Sequence, residues 1–409
     1  MRDLGPKFAR FWAATTVSAL GDGLMAVGLP LLAREMTERP LLIATVFAAG
    51  RAPWLFAIIV GALVDRRDAR NVLVSMDAVR AVALAALGWY LISSDRLPPI
   101  AVVYALAMFL ALCSIAFFAA VQRVIPSLVE TSKLERANGY IQSGINTGEQ
   151  FVGPAMGAYF ATGGQIPIIG DAISFAASGL VLSRLPHIPP TPTEVRTLRD
   201  DVAIGWTWFL SSATIQTLTL GSALLAGFTA LVLATEVVIV RDTLGLGTYW
   251  FGPFTALLAG GAISGGVVAS RIIATLRSTT FTITTALSAL TYLACIGARS
   301  PVLVFTALTI QCFTVGVNNV SSASIRQRAV PSELRGRVIS MLRSFVWGLQ
   351  IPGALLGGWI AGRWGTDTMF AVAGMGLLVT ALITARPLRR LLAPYQAPPG
   401  VATQSPLAA

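Results

Sequence analysis

The sequence predicts an all-α membrane protein in which twelve transmembrane helices form two pseudo-symmetric six-helix bundles. Of its 409 residues, 55% are hydrophobic and 12% are charged, whereas an ordinary soluble domain carries about 25% charged residues. Apolar stretches long enough to cross a bilayer recur along the chain, and segments of its first half reappear in its second half. Together these three observations exclude a soluble globular domain.

The apolar stretches number twelve, and each is near the length of about 20 residues that a helix needs to cross a bilayer. In the first half they cover residues 11–33, 41–64, 71–93, 98–122, 138–162 and 166–184. In the second half they cover residues 214–240, 248–270, 279–297, 301–325, 338–361 and 368–385. An even number of spans places both termini on the same side of the membrane.

Basic residues are distributed unevenly between the two sides of the predicted bundle. Counted by loop, 21 Lys and Arg residues flank the side that holds both termini, and six lie opposite: Arg34, Arg39, Arg96, Arg241, Arg299 and Arg363. Basic loops are retained in the cytoplasm during insertion. The excess therefore predicts cytoplasmic termini in a multi-pass protein of the cell inner (plasma) membrane. Because topology accounts for the net charge of +11, no nucleic-acid partner is expected.

Four prolines between Pro186 and Pro192 mark a break between the two halves. The sequence predicts an N-terminal bundle over 1–185, a cytoplasmic linker over 186–213, a C-terminal bundle over 214–390 and a disordered tail over 391–409. Within the linker, apolar residues recur at helical spacing and predict an amphipathic helix on the membrane surface: Val195, Leu198, Val202, Trp206 and Phe209.

The two halves share an internal repeat. Residues 122–127, QRVIPS, reappear as QRAVPS at 327–332, an offset of 205 residues, and residues 61–66 align with 266–271 at the same offset. After a contraction of five residues, Gly153 and Gly157 align with Gly353 and Gly357. Both copies begin on the same side of the membrane, so the predicted symmetry axis lies along the membrane normal.

Residues 61–70, GALVDRRDAR, lie between the second and third spans and resemble the loop signature of the major facilitator superfamily. The resemblance implies a secondary transporter that works by alternating access. Within this superfamily, Asp77 with Arg80, the segment 171–175 and the segment 331–337 are similar to exporters that include macrolide and enterobactin efflux proteins. The resemblance therefore favours export.

The loop signature and its surroundings predict a gate, with candidate residues Gly61, Asp65, Arg66, Arg70, Asp77 and Arg80. Asp65 is expected to act as a latch that bonds backbone N–H groups, or basic residues of the other half, when the cytoplasmic side is shut. The alternative is that the arginines only enforce topology.

Helices 5 and 11 carry small-residue faces that permit close helix packing, formed by Gly153, Pro154, Gly157, Gly353 and Gly357. We expect these faces to seal the two halves against each other, with ordinary tight packing as the alternative. The position on helix 5 resembles a signature associated with proton-driven antiporters of the superfamily.

Ionisable residues inside the spans indicate the coupling site, because such charges are costly in a bilayer and usually functional. Asp22, Arg51 and Glu149 each lie 12 to 14 residues from a basic or acidic marker at the end of their span, which at about 1.5 Å per residue places all three near the bilayer centre. Arg51 is expected to neutralise one carboxylate and leave the other free to take a proton, because burial disfavours the charged form. The alternative is a permanent bridge between Asp22 and Arg51. Glu236 is a further proton-coupling candidate, and it and Asp171 are placed near the outer ends of their spans, where water can reach them.

Polar side chains predicted to line a largely apolar cavity are Asn146, Gln150, Asn318, Asn319 and Gln350. Such a wall suits an amphipathic or lipophilic compound.

With no P-loop and only two lysines, Lys7 and Lys133, the chain is not expected to be an enzyme or to need a cofactor or metal. The prediction is a monomeric, proton-coupled exporter (antiporter) of small compounds such as drugs, antibiotics or siderophores, with protons, substrate and the bilayer as partners. An importer or flippase of a metabolite or lipid is the alternative, and a nontransporting sensor or scaffold is the remote one.

Overall fold

The computed structural model of the protein describes residues 2–94, 96–160, 166–190, 206–330 and 335–392. Within these ranges the chain forms helices and turns, with no strand. The helices of the first half are α1 (Gly5–Met36), α2 (Pro40–Arg51), α3 (Ala57–Asp65), α4 (Ala69–Ser93), α5 (Ile100–Leu128), α6 (Leu134–Asn146), α7 (Gly153–Phe160) and α8 (Ile166–Leu182). Those of the second half are α9 (Ala213–Leu233), α10 (Phe251–Leu276), α11 (Thr280–Ala294), α12 (Pro301–Ala329), α13 (Arg335–Gly348) and α14 (Gln350–Leu392).

Several predicted spans are broken helices. A 3-10 turn at Ala52–Phe56 separates α2 from α3, and the two parts are bent by 57°. A π-helical turn at Thr147–Val152 separates α6 from α7, and α13 ends two residues before α14 begins. Pro53, Pro154 and Pro352 lie at or just after these breaks. Because proline lacks an N–H and clashes with the preceding turn, the regular hydrogen-bond ladder is interrupted there.

In the described part of the chain, seven helical segments are long and apolar enough to cross a membrane, or eight when the bent pair of α2 and α3 is counted as one. Two of the seven are 44 and 48 residues long and each contains a break. One break lies at Arg277, between α10 and α11, where φ is 50°, and the other at Gly365 within α14, where φ is 85°. The structure confirms an all-α, multi-pass membrane protein, and its breaks are consistent with the twelve predicted spans.

The N-terminal end of α1 lies at one face of the bundle, which we call the terminal face. There the N-terminal Asp3 pairs with Arg136 at the start of α6, at 3.0 Å, and the loop between α3 and α4 meets the start of the linker at His187 and Ile188. Residues 191–205 and 393–409 lie outside the described part of the chain. The predicted surface helix of the linker is described only at residues 206–211, which are helical. Its position on the membrane surface and the disordered tail remain predictions.

The two halves contact each other on the face opposite the termini. Arg34 of α1 pairs with Asp242 at 2.7 Å, and Glu35 pairs with Arg241 at 3.5 Å. Nearby, α2 and α14 approach so closely that a Cβ built on Gly358 would lie 2.7 Å from the Cβ of Ala44 and 2.8 Å from the Cα of Leu41.

Deeper in the bundle a second contact joins the two halves at their helix breaks. The rings of Trp54 and Trp347 meet edge to face with centroids 4.2 Å apart. Leu55, in the same 3-10 turn as Trp54, packs against Gly348. The halves thus touch from the opposite face inward to the level of these breaks.

Buried polar groups differ between the halves. In the first half they include the charged residues Asp77, Arg80 and Asp171. In the described part of the second half, every polar residue classed as buried is uncharged: threonines, serines, Gln311 and Asn318.

Candidate transport site

A fully buried arginine organises the core of the first half. Arg80 of α4 is 0% exposed, and its guanidinium donates to Asp77 Oδ1, one turn earlier, and to Ser18 Oγ at 3.2 Å. The same guanidinium donates to Asp22 Oδ1 of α1 at 3.2 Å, and Ser114 of α5 donates to that oxygen at 2.9 Å. We call these five residues the Arg80 cluster.

Two aromatic rings complete the surroundings of Arg80. Its guanidinium carbon lies 4.0 Å from the centroid of Phe175 and 4.9 Å from that of Phe117. A cation over an aromatic face is attracted by the ring quadrupole. The guanidinium is therefore held by carboxylates, hydroxyls and rings on three helices besides its own.

This arrangement bears on two expectations. Asp22 is paired with Arg80, so the alternative of a permanent bridge between Asp22 and Arg51 is wrong. The candidate gate residues Asp77 and Arg80 are both buried inside the first half. The long side chain of Arg80 extends from α4 to α1. Residue counts give the depth of a residue along its helix, but not which neighbouring helix its side chain reaches.

Arg51 lies instead at the end of α2, beside the other half. Its guanidinium carbon is 5.1 Å from the centroid of Phe47 and 5.6 Å from that of Trp347 on α13. The carboxylate with which it interacts electrostatically is Glu149. Glu149 in turn lies within electrostatic reach of both Arg51 and Asp22, and its side chain is exposed. Glu149 is thus within electrostatic reach of both residues that the sequence places at its depth.

Three of the four predicted proton-coupling residues lie at irregular turns. Arg51 ends α2 at the 3-10 turn, and Glu149 lies in the π-helical turn before α7. Glu236 follows the end of α9 by three residues and precedes a second π-helical turn at Ile239–Thr243. Asp22 lies inside the unbroken helix α1. Such turns are frequent at functional sites because they free backbone groups and redirect side chains.

Glu236 and Asp171 differ in their access to solvent. Glu236 is partly exposed, and it interacts electrostatically with Tyr292 and Cys312 of the second half. Asp171 is 0% exposed, so the predicted wetted position is wrong for this residue. Its side chain points towards α1 at Gly21, whereas the sequence gives only its distance from the end of the span.

The loop signature anchors the start of the linker. Asp68 caps α4 by accepting the backbone N–H of Asn71 at 3.0 Å, and it accepts that of Ile188 at 2.9 Å. Partial burial opposes ionisation of Asp68, but these two bonds and one from His187 outweigh it and lower the pKa of Asp68 below its usual value. Arg70 donates to the carbonyl of Ser183 and contacts His187 at 2.9 Å.

Asp65 lies at the terminal face with Arg123 of α5, at 3.8 Å. Arg123 also donates to the carbonyls of Val64 and Arg67 at 2.8 Å each, and to that of Pro189 at 2.9 Å. In this conformation the latch residue is thus paired within its own half. The sequence did not single out Arg123, although the repeated QRVIPS segment contains it.

The remaining gate residues make few contacts. Arg66 is exposed, and the position of a Cβ on Gly61 has no atom within 4 Å in the described structure.

The paired glycines pack helices within each half. A Cβ on Gly153 would lie 2.8 Å from Gly23 Cα, and one on Gly157 would lie 2.9 Å from the carbonyl oxygen of Leu24, both on α1. Pro154 Cδ packs against the same stretch of α1 at Gly23.

The second half repeats this packing. A Cβ on Gly353 would lie 3.1 Å from Gly227 Cα, and one on Gly357 would lie 2.8 Å from Leu231 Cα, both on α9. The prediction that these glycine faces seal the two halves is therefore wrong, because their nearest backbone belongs to a helix of the same half. Another side of α7 does contact α10 across the interface.

Two of the predicted cavity residues take up different roles. Asn318 is buried and accepts a hydrogen bond from Thr284 at 2.6 Å, so it joins α12 to α11 and does not line a cavity. Asn146 is exposed and accepts from Gln142 at 2.8 Å.

The other three differ in exposure. Asn319 is exposed. Gln350 Oε1 is buried and has no hydrogen-bond partner among the described residues. The side chain of Gln150 lies outside what the structure describes.

The fold is shared with known transporters. A bacterial homologue of the human lysosomal transporter Spinster, inward-facing and unoccupied, matches with a TM-score of 0.70 at 12% identity, over 97% of this chain and 100% of that one. A bacterial homologue of the iron transporter ferroportin, inward-facing, matches with a TM-score of 0.69 at 15% identity, over 95% and 98%. A POT family transporter in complex with 5-aminolevulinic acid matches with a TM-score of 0.74 at 12% identity, over 93% and 96%. These likenesses show that the protein has the fold of these transporters.

The sequence also matches a family model described as transmembrane secretion effector, over residues 5–397. The chain belongs to this family of major facilitator transporters. Comparison with curated proteins gave no match.

Proposed function

We propose that the protein is a proton-coupled exporter that exchanges protons for small amphipathic or lipophilic compounds. The observation that carries the proposal is Glu149: an exposed carboxylate in a π-helical turn inside a span, within electrostatic reach of Asp22 and Arg51. Asp22 already shares a guanidinium with Asp77. Glu149 is thus the carboxylate best suited to take up and release a proton.

Conformational exchange would occur between the two halves. The contacts described above close the face opposite the termini, and Asp65 is paired with Arg123 inside its own half. We assign this state as open at the terminal face and place that face in the cytoplasm, in accordance with the basic loops. In the opposite state Asp65 would exchange Arg123 for a partner in the second half, which is the proposed latch.

The substrate class follows from the few polar groups at the helix breaks. Trp54 and Trp347 supply aromatic surface beside Arg51, and Gln350 offers a carbonyl oxygen without a partner among the described residues. Few polar groups in an apolar wall suit a lipophilic compound that makes one or two hydrogen bonds. The description of the family as secretion effectors, and the resemblance to macrolide and enterobactin efflux proteins, favour antibiotics or siderophores leaving the cell.

The test is transport by purified protein in liposomes with an imposed pH gradient, using a panel of fluorescent lipophilic compounds. Proton-coupled export predicts movement that stops when an ionophore collapses the gradient. Glu149→Gln should abolish gradient-driven movement while the protein remains folded. Glu130→Gln, which neutralises a carboxylate in an exposed pair with Lys133, is the matched control and should transport normally.

Two results would overturn the proposal. Normal transport by Glu149→Gln would remove the proton-coupling assignment. Movement of compounds in the opposite direction under the same gradient would establish import instead.

A further inference from the structure

Asp171 of α8 is a buried carboxyl that the proposed coupling site does not use. It is 0% exposed and lies against α1, where a Cβ on Gly21 would overlap its Oδ1 atom. Only a glycine at position 21 leaves room for this approach. The second oxygen, Oδ2, is buried and has no hydrogen-bond partner among the described residues.

The charges around Asp171 do not balance. It interacts electrostatically with Asp22 of α1 and with Asp77 and Arg80 of α4. Arg80 forms ion pairs with Asp22 and Asp77, and no ion pair within the described residues involves Asp171. Three carboxylates therefore lie within electrostatic reach of one guanidinium.

Other titratable groups near the cluster do not supply the missing positive charge. Cys113 of α5 interacts electrostatically with Arg80, and Glu149 is a further carboxylate within reach of Asp22. An ionised carboxylate buried without a compensating charge is strongly disfavoured, and such a group becomes neutral instead.

The hydrogen-bond geometry at Ser174 accommodates a proton on Asp171. Ser174 Oγ lies 2.9 Å from the backbone carbonyl of Asp171 and 3.0 Å from Asp171 Oδ1. A serine hydroxyl has one proton to donate and can accept through its lone pairs. When Ser174 donates to the carbonyl, the second short contact is satisfied if Oδ1 carries a proton and donates it to Oγ.

We propose that Asp171 is a proton-binding site and holds its proton as a neutral carboxylic acid in this conformation. With the proton bound to Asp171, Arg80 pairs with Asp22 and Asp77. Loss of the proton adds a third negative charge within electrostatic reach of the same guanidinium and weakens its hold on Asp22, whose side chain is 26% exposed. The inference deepens the proposed function, on which it rests only for the role of this proton in transport.

Infrared difference spectroscopy of the protein in lipid tests proton binding without a substrate. The C=O stretch of protonated carboxylic acids is recorded from neutral to alkaline pH, with uniform ¹³C-aspartate labelling to separate aspartate from glutamate bands. We expect one protonated-aspartate band at neutral pH that Asp171→Asn removes. The amide of that variant is neutral and can donate to Ser174, so the fold should be kept. Asp3→Asn, at an exposed pair, is the control and should leave the band unchanged.

A second variant keeps the test decisive if Asp171→Asn fails to fold. Ser174→Ala removes the acceptor of the proposed O–H bond, so the band should shift to higher frequency without loss of intensity. A band that survives Asp171→Asn, or that does not respond to Ser174→Ala, overturns the site. If the band behaves as expected and transport is independent of the pH gradient, the proton site stands and the proposed coupling falls.

Discussion

Replacing Arg80 by methionine should be among the most destabilising single changes in the first half. The side chain is 0% exposed and bonds to Asp77, Asp22, Ser18 and Ser114. Arg80→Met preserves most of the volume between the two flanking aromatic rings and removes the only guanidinium that pairs with these aspartates in the described structure.

The magnitude follows from the cost of leaving buried charges without a partner. Removing one member of a buried ion pair costs about 3–5 kcal/mol. The loss should therefore be of this size at neutral pH, and it should shrink as acid protonates the stranded carboxylates. Neutralising them by mutation should act similarly: Arg80→Met combined with Asp22→Asn and Asp77→Asn should be more stable than Arg80→Met alone.

The assay is reversible unfolding of the purified protein in mixed micelles, with the free energy of unfolding compared between variants. Arg299→Lys is the control, because Arg299 pairs with Asp367 in an exposed position and its replacement should change little. If Arg80→Met unfolds as the wild type does, or if the triple variant is no more stable than Arg80→Met, the account of the Arg80 cluster is wrong.

Three further predictions concern the two faces. Gly358→Val should force α14 away from Ala44 and α2. A cysteine introduced at Glu35 should then react faster with a thiol reagent. Gly260→Val is the control and should not have this effect, because no atom lies within 4 Å of a Cβ at that position. Because hydrogen bonds lower the pKa of Asp68 below its unfolded value, its contribution to stability is complete at neutral pH and is lost as the pH falls through the folded pKa. Asp68→Asn should therefore lower the thermal unfolding temperature at neutral pH and converge with the wild type in acid, and a constant difference would contradict this. Asp65→Ala should disfavour closure of the terminal face and so increase the labelling of cysteines by thiol reagents from that face. Unchanged labelling would refute the latch.

Sequence reasoning predicted the fold class because span length and apolar composition are set by the bilayer itself. Proline alone did not locate the helix breaks: Pro154 and Pro352 lie just after breaks, whereas α1 continues through Pro30. Residue counts also predicted the depth of residues in the membrane, and they placed Glu149 at nearly the same depth as Asp22 and Arg51.

The direction in which a side chain points around its helix axis could not be predicted from residue counts. Arg80 and Arg51 are both near Asp22 in depth, and only packing decides that Arg80 reaches it. The glycine faces of α7 and α14 show the same limit: their spacing predicts a close neighbour, but the identity of that neighbour depends on three-dimensional arrangement. The sequence position of Asn318 is equally compatible with a cavity wall, and only the packing of α12 against α11 places Thr284 beside it.

The buried residues in the described part of the second half are uncharged, and this has a consequence for how the duplicated chain can change. At the offset of 205 residues, Asp77 and Arg80 correspond to Thr282 and Thr285, and Thr285 accepts a hydrogen bond from Asn318 at 3.4 Å. Hydroxyl and amide contacts there replace an ion network and do not depend on pH near neutrality. Substitutions that change the charge of the Arg80 cluster can therefore occur without a matching change at these positions of the second half.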